Sequence, residues 1–183
     1  MVSFDPQTGL ELWRCSGPTI EVIPTVVCGH GLVYSSSGRN GPTVAIHPDG
    51  FGDVSGTHVA WRTVRGSPHV PSPLLLGQLF YQVNDTGIVS CLDARSGAIV
   101  YQNRLQGRFT ASPVAGDGRI YFTNEDGETF VVREGGKFQV LSTNALSEPT
   151  LASAAILGGR IFMRTQRHLF AIRNGRGEKT ARR

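Results

Sequence analysis

A loop in the first third of the chain carries the residues that could bind a metal ion. From His47 to His58 it holds two histidines and two aspartates, Asp49 and Asp53, within twelve residues. Calcium requires oxygen ligands at regular short spacing, and zinc requires a compact set of histidines and cysteines. The loop has neither an alternating Asp/Asn series nor a closing glutamate. We therefore predict a turn-rich insertion without a metal.

Two acidic turns, Asn84–Gly87 and Asn124–Gly127, raise the same metal hypothesis. They occupy equivalent places in neighbouring sequence repeats, and Asn, Asp and Gly are the residues that tight hairpin turns select. We interpret both as type I′-like hairpin turns, and no metal site is predicted.

Serine nucleophiles are not predicted either. Ser112 and Ser153 lack the Gly-x-Ser-x-Gly context of a nucleophile elbow. They recur with Ser72 at one repeat position, which indicates a backbone-bonding or packing role near a central channel.

The three cysteines show no metal-type spacing and no adjacent pair. Cys28 and Cys91 lie in apolar runs, so we expect buried free thiols there. The residue types predict no catalytic, cofactor-binding or metal-binding set.

The net charge of +4 comes from the end of the chain. After Ile172 the segment RNGRGEKTARR holds five basic residues and one acidic residue, which leaves residues 1–172 formally neutral. We predict that 173–183 is a basic disordered tail, and that the folded part does not bind nucleic acid. No signal peptide begins the chain and no apolar run is long enough to insert into a membrane.

Short apolar strands recur about every 40 residues, the period of a β-propeller blade. The second strand of each unit is recognised by an aligned aromatic end, at Tyr34, Tyr81, Tyr121 and Phe162. The third strands end at Phe4, Ile46, Leu92, Val132 and Ile172. A fourth strand carries a large aromatic, at Trp13, Trp61, Tyr101 and Phe138. These patterns predict an all-β propeller of four-stranded antiparallel blades, with the fourth-strand aromatics wedged between blades.

About four blades are expected. The units are a partial blade in 1–16, complete blades in 20–64, 70–105 and 110–144, and a second partial blade in 150–172. The two partial units would form one blade split between the termini. The chain is then either a partial propeller or a half ring, and a half ring has an unpaired edge that a homodimer could complete.

The segments DPQTGLELWR, LDARSGAIVYQ and SPVAGDGRIYFTNEDGETFVV resemble the pyrroloquinoline-quinone (PQQ) type propeller repeat. That repeat pairs Gly-x-Val-Tyr with Ala-Leu-Asp-x-x-Thr-Gly-x-x-x-Trp. It occurs in quinoprotein dehydrogenases and in cofactor-free propellers similar to the outer-membrane assembly lipoprotein. Such propellers usually have seven or eight blades, so the resemblance implies the C-terminal half of a bacterial PQQ-binding-like repeat protein. It also implies an extracytoplasmic location, with a signal upstream of Met1.

The dehydrogenases of this class use vicinal cysteines, a calcium held by Glu and Asn beside a catalytic Asp, and a Trp under the cofactor. This chain has no adjacent cysteines, and both tryptophans occupy the wedge position. We therefore expect neither PQQ nor calcium. The first hypothesis is a non-catalytic module that binds a protein or another macromolecule. The alternatives are a fragment of a PQQ-dependent dehydrogenase and a glycan-binding propeller.

Binding residues are expected on one rim of the propeller. Loops from each fourth strand to the next first strand, and from each second strand to the third, gather on the same face, and such loops carry function. The rim candidates are Arg39, His69, Asn84, Asp85, Arg108, Glu148 and Arg167, with Asn40, Arg65, Glu125 and Gln166 beside them.

Overall fold

The computed structural model describes residues 1–38 and 40–173, which form β-strands in five sheets. This confirms the all-β propeller class predicted from the sequence. Arg39 and the predicted tail from residue 174 onward lie outside the described residues, and Arg173 ends the last strand.

Three sheets are complete four-stranded meanders, as the repeat predicts. The first blade contains β3 (Val27–Gly29), β4 (Leu32–Ser36), β5 (Thr43–Ile46) and β7 (Val59–Arg62). The second contains β8 (Leu74–Leu76), β9 (Leu79–Val83), β10 (Ile88–Asp93) and β11 (Ile99–Arg104). The third contains β12 (Val114–Gly116), β13 (Arg119–Thr123), β14 (Glu128–Arg133) and β15 (Val140–Ala145). First strands of neighbouring blades contact each other, β3 with β8 and β12 with β16 (Ala155–Leu157), which places them innermost.

Two three-stranded sheets stand at the ends. The N-terminal sheet contains β1 (Val2–Phe4), β2 (Glu11–Arg14) and β6 (Gly52–Asp53). The C-terminal sheet, the fourth blade, contains β16 (Ala155–Leu157), β17 (Arg160–Arg164) and β18 (Leu169–Arg173). In the repeat pattern β1 and β18 are both third strands. The two sheets do not join into the shared blade we expected, and the sheets are not closed into a ring.

The insertion after β5 is more than a plain turn. Its β6 pairs in parallel with β2, placing Gly52 opposite Trp13, and its Val54 is buried in a cluster with Trp13 and Ile46. The insertion therefore covers the outer edge of the N-terminal sheet, an edge that would otherwise be open to pairing.

A β-bulge recurs where third and fourth strands pair, between Ser3 and Phe4, Ala45 and Ile46, Cys91 and Leu92, and Val131 and Val132. The third-strand residue immediately before each bulge faces the wedge residue, which is Trp13, Trp61 or Tyr101 in the first three cases. In the third blade the residue at this register is Ser142. The prediction that Phe138 holds the wedge was wrong, because Phe138 precedes β15 and packs on Tyr101 of the preceding blade.

Both tryptophans connect neighbouring blades, as expected. The indole of Trp13 donates to the Pro48 carbonyl at 3.0 Å, and that of Trp61 donates to the Ala94 carbonyl at 2.9 Å. Trp61 also packs edge-on against Phe80 of the second blade. Each contact joins a fourth strand to the turn after the third strand of the next blade.

A ladder of serine hydroxyls links the blades next to their innermost strands. Ser72 Oγ accepts the Thr25 amide, Ser112 Oγ accepts the Ser72 amide, and Ser153 Oγ accepts the Ser112 amide, each at 2.9 Å. The predicted backbone-bonding role of these serines is confirmed.

One of the two thiol predictions was wrong. Cys91 is buried, but Cys28 is exposed. Val27 packs toward the second blade, so the alternate residue, Cys28, points to the opposite face of β3. The N-terminal sheet provides no first or second strand to cover that face.

Candidate functional site

The two kinds of loop predicted to share a rim do meet there. The His69 amide, in the loop before β8, donates to Asp85 Oδ2 at 2.8 Å, and Asp85 lies in the turn after β9. The Asp85 carbonyl accepts the Phe109 amide, from the loop before β12, at 3.1 Å. Asp85 thus ties its own turn in the second blade to the loops that precede the second and third blades, and it is held by the fold.

A cavity of about 470 Å³ opens between these loops, and we call it the rim groove. Its lining residues are Asn40, Ser67, His69, Asn84, Asp85, Thr86 and Arg108. Four of the predicted rim candidates, His69, Asn84, Asp85 and Arg108, therefore share one cavity. Arg39 precedes Asn40 in the chain but lies outside the described residues.

The groove combines an exposed, weakly paired cation, Arg108, with the carboxylate of Asp85, which the fold holds in place. The Arg108 side chain is 80% exposed, and its Nε lies 4.0 Å from Glu125 Oε2, a weak pairing at a solvated site. His69 Nε2 lies 3.2 Å from Glu21 Oε2. The guanidinium of Arg108 can therefore turn toward a ligand and present its planar set of donors.

A buried polar network that the sequence did not reveal adjoins the groove at Ser67. The Ser67 hydroxyl is buried and lies 2.6 Å from Thr43 Oγ1, which also lies 2.9 Å from Gln82 Oε1. Ser67 stands in a plain Gly-Ser-Pro loop with no motif around it. Only the packing of two blades shows that Ser67 lines the groove.

Asn84 has a mainly architectural role. Its Oδ1 accepts the amides of Thr86 at 3.1 Å and Ile88 at 2.9 Å, which closes the turn. The predicted type I′ geometry is wrong, because Gly87 is the turn residue with a positive φ, 85°, whereas type I′ needs two central residues of that kind.

Glu148 and Arg167 lie apart from the rim groove, between the third and fourth blades. Glu148 Oε2 accepts the Thr165 hydroxyl at 2.6 Å and the Arg167 amide at 3.3 Å, and Oε1 lies 2.5 Å from His168 Nδ1. The Thr165 hydrogen bond, with that of His168, holds the pKa of Glu148 below its usual value. A neighbouring cavity of about 710 Å³ includes Glu125, Thr165 and Gln166 in its lining.

The tryptophans, the His, Asp and Glu side chains and the buried Cys91 are the residues on which PQQ or a metal would depend. Both indoles are buried between blades, where each donates its N–H to a backbone carbonyl. Within residues 1–38 and 40–173, no three His, Cys, Asp or Glu side chains are grouped as metal ligands would be. Burial raises the pKa of the Cys91 thiol to about 11, which keeps it protonated and unreactive.

Sheets of short antiparallel strands, joined by an aromatic wedge and a serine ladder, define a β-propeller of PQQ-like repeats. The chain belongs to the family described as outer membrane protein assembly factor BamB, whose sequence profile matches residues 1–180. No curated protein matches the chain.

Solved structures show the same fold. BamB from Moraxella catarrhalis superposes with a TM-score of 0.67 at 16% identity, covering 89% of this chain and 47% of that one. The computationally designed Ika8 protein gives 0.68 at 12% identity, over 87% of this chain and 47% of that one. The designed Ika4 protein gives 0.69 at 10% identity, over 92% of this chain and 100% of that one. The chain thus spans about half the length of the BamB and Ika8 structures. None of the described residues forms a helix that could cross a membrane.

Proposed function

We propose that this chain is a non-catalytic binding module that holds a protein partner at the rim groove. The observation that carries the proposal is the convergence of His69, Asn84, Asp85 and Arg108 on one cavity. The family description, an assembly factor for outer-membrane proteins, supports a protein as the partner.

Arg108 is the residue most suited to anchor such a partner. Arginine is enriched among the residues that dominate binding energy, and this one is exposed and weakly paired. Asp85 and Asn84 are immobilised by their own hydrogen bonds, so they offer a rigid frame with little ordering entropy to lose on binding. We infer a partner segment with a carboxylate for Arg108 and amide or hydroxyl groups for the frame.

Site-specific photo-crosslinking would test the proposal. A benzoylphenylalanine at Thr86, in the groove, is compared with one at Arg95, which contacts His30 and Gln78 on the opposite rim. In the bacterial envelope we expect one protein to be cross-linked from position 86 and not from position 95. Equal products from both positions, or none from position 86, would contradict a rim-groove partner.

Charge reversal at Arg108 then measures how much this side chain contributes to the affinity for the partner. With the cross-linked protein purified, Arg108→Glu should weaken binding by about tenfold or more in calorimetry, since a well-placed arginine contributes on the order of 2 kcal/mol. Arg95→Glu makes the same charge change on the opposite rim and should leave the affinity unchanged. A glycan array provides a separate arm: a signal lost in Arg108→Ala would favour the glycan-binding alternative.

The module is proposed to act outside the cytoplasm and without PQQ or calcium. The family description supports the location, and the engaged tryptophans support the absence of a cofactor. Incubation with PQQ and calcium should give no stoichiometric absorbance change and no dye reduction with alcohols or sugars. Uptake with turnover would favour the dehydrogenase alternative.

A homodimer in which two copies complete one ring is a further candidate. In the part of the chain that the structure describes, nothing bonds to the Thr25 hydroxyl or the Ser153 amide, the two ends of the serine ladder. A second copy could continue the ladder from Ser153 to Thr25 and cover Leu157 and Leu169, both largely exposed. Both β1 and β18 are third strands in the repeat, and β1 already pairs with β2. For the two copies to share a blade, β18 of one copy would have to replace β1 of the other beside β2.

Light scattering over a range of concentrations tests the ring. A dimer that Leu169→Lys converts to monomer, with Leu10→Lys in the exposed turn before β2 as the control, supports it. A monomer at all concentrations would exclude it.

A further inference from the structure

A gap lies between the third and fourth blades, and we call it the blade slot. It shares no lining residue with the rim groove. It consists of two adjoining cavities, of about 330 and 710 Å³, which share Tyr121, Val131, Ile161 and Ile172 as lining residues. The first cavity reaches the buried Met163, and the second reaches Ser142.

The slot exists because the wedge is missing at this interface. At the corresponding register Trp13 and Trp61 fill the space between their blades and donate to the turn beyond. Ser142 has a side chain too short to do either. The space that an indole occupies in the first two interfaces remains open here, with mostly apolar walls.

Three arginines line the second cavity. They are Arg119, Arg160 and Arg173, and Arg160 stands directly opposite Arg173 in the β17–β18 pairing. Like charges directly opposite each other destabilise a sheet. Asp117, the one acidic residue in the lining, pairs with Arg119. Among the described residues no carboxylate forms a salt bridge with Arg160 or Arg173, so the opening has a net positive charge.

We propose that the blade slot binds a fatty-acid-type carboxylate, with its acyl chain between Ile161, Met163 and Val131 and its carboxylate at Arg160 and Arg173. The apolar walls remove the chain from water, and the anion relieves the repulsion between the two arginines. The volume of the first cavity falls at the lower end of the range for small-molecule sites. This site is independent of the rim groove.

Calorimetric titration of the full chain with dodecanoate, below its micelle concentration, tests the proposal. We expect saturable binding of one molecule per chain. The double variant Arg160→Gln, Arg173→Gln should bind at least tenfold more weakly. Arg133→Gln is the matched control. Arg133 stands opposite Arg119 in its blade as Arg173 stands opposite Arg160, but it bonds to Gln139 and does not line the slot. This variant should bind dodecanoate like the unchanged chain.

A second variant tests the location of the acyl chain. Ser142→Trp restores the wedge, so it should raise the melting temperature and abolish dodecanoate binding. Dodecanol, which has the same chain without the charge, should bind at least tenfold more weakly than dodecanoate. Unsaturable heat, equal binding of the alcohol, or equal binding by the double variant and Arg133→Gln would overturn the proposal. So would dodecanoate binding by a folded Ser142→Trp chain.

Discussion

Tyr81 and Tyr101 pack in the same core cluster, but their hydroxyl groups differ in hydrogen bonding. The Tyr81 hydroxyl accepts the Gly135 amide at 3.0 Å, and burial raises the pKa of Tyr81 to about 12. The Tyr101 hydroxyl is buried without a nitrogen or oxygen partner in the described residues, and burial together with the nearby Cys91 raises its pKa further. Sulfur is a weak acceptor, so this hydroxyl is poorly satisfied.

Removing each hydroxyl should therefore have opposite effects. Tyr101→Phe should leave the free energy of unfolding unchanged or raise it by up to about 1 kcal/mol, because an unsatisfied buried group is removed. Tyr81→Phe should lower it by about 1–2 kcal/mol, because the Gly135 amide loses its acceptor. Urea unfolding of both variants measures the difference. A loss in Tyr101→Phe equal to that in Tyr81→Phe would mean that the Tyr101 hydroxyl is satisfied in solution.

Glu148 gives the interface between the third and fourth blades a pH dependence. The pKa of its carboxylate is lowered from the usual 4.5, chiefly by the Thr165 hydroxyl. A lowered folded-state pKa contributes stability above the unfolded value, and that stability is lost as the pH falls through the folded value. The sensitive window therefore begins near pH 4.5 and extends below it.

The variant Glu148→Gln should have a lower melting temperature than the unchanged chain at pH 7, and the difference should shrink as the pH falls below about 4.5. Thermal unfolding followed by circular dichroism at several pH values measures it. Asp126→Asn, in an exposed turn, is the control and should show no such convergence. A difference that stays constant down to pH 3 would contradict the role of the Glu148 carboxylate.

At the scale of elements, the turn after a third strand closes a blade, and the turns after β5 and β10 also receive the tryptophan wedge of the neighbouring blade. Asp93 Oδ1 accepts the amides of Arg95 and Ser96 and so shapes the turn, as Asp5 Oδ1 does with Gln7 and Thr8. Gly97 and Gly9 complete the two turns with the same φ of 71°. A side chain added at Gly97 would meet the Trp61 ring at 2.6 Å, whereas the space around Gly9 is open.

Alanine substitutions at Gly9 and Gly97 separate the free-energy cost of backbone strain from the cost of displacing the Trp61 ring. Gly9→Ala should cost about 1–2 kcal/mol, the usual penalty for a left-handed conformation with a Cβ. Gly97→Ala should cost that amount plus about 1–3 kcal/mol, because Trp61 must move. Urea unfolding at equal protein concentration gives both values. Equal losses would show that Trp61 does not press on this turn.

For the whole molecule, the quality of the contact between blades declines toward the C-terminus. Trp13 and Trp61 each form a hydrogen bond across an interface, Tyr101 forms none to nitrogen or oxygen among the described residues, and Ser142 leaves a gap. Every residue of β15 is exposed, and so are the three residues of β16. We therefore expect the first three units, which are the N-terminal sheet and the first two blades, to be the most stable part of the protein.

Native-state hydrogen exchange should show this gradient directly. Amides of β9 and β10 should exchange most slowly, and those of β16, β17 and β18 should exchange at least about tenfold faster, because local opening needs less free energy where less surface is buried. Ser142→Trp should slow exchange in β17 specifically. Uniform protection across all blades would contradict the proposed gradient.

Much of the architecture could be predicted from local patterns. Strand positions followed from aromatic ends at Tyr34, Tyr81 and Tyr121, and turns followed from Asp and Gly at fixed offsets, because both depend on neighbours in the chain. Register was harder. The recurrent bulge adds a residue to one strand, and β15 begins only at Val140, after Phe138, so that Ser142 holds the wedge register. An alternating pattern does not show such a shift.

The candidate site was predictable in part for the same reason. Topology places fourth-to-first and second-to-third loops on one rim, so His69, Asn84, Asp85 and Arg108 could be named together. Glu148 and Arg167 met the same rule but belong to another interface, and Ser67 met no rule at all. Distances between loops depend on how blades pack, which no single repeat contains.

By itself, the sequence determined the all-β class, the blade period, the serine positions that bond to the backbone and the rim on which loops gather. These are consequences of short-range alternation, turn chemistry and repetition. The tertiary structure alone decided that the sheets remain open, that Cys28 is exposed, and that a groove and a slot lie between particular blades. Those features depend on whether a neighbouring blade covers a given face, and coverage is set by packing between residues far apart in the chain.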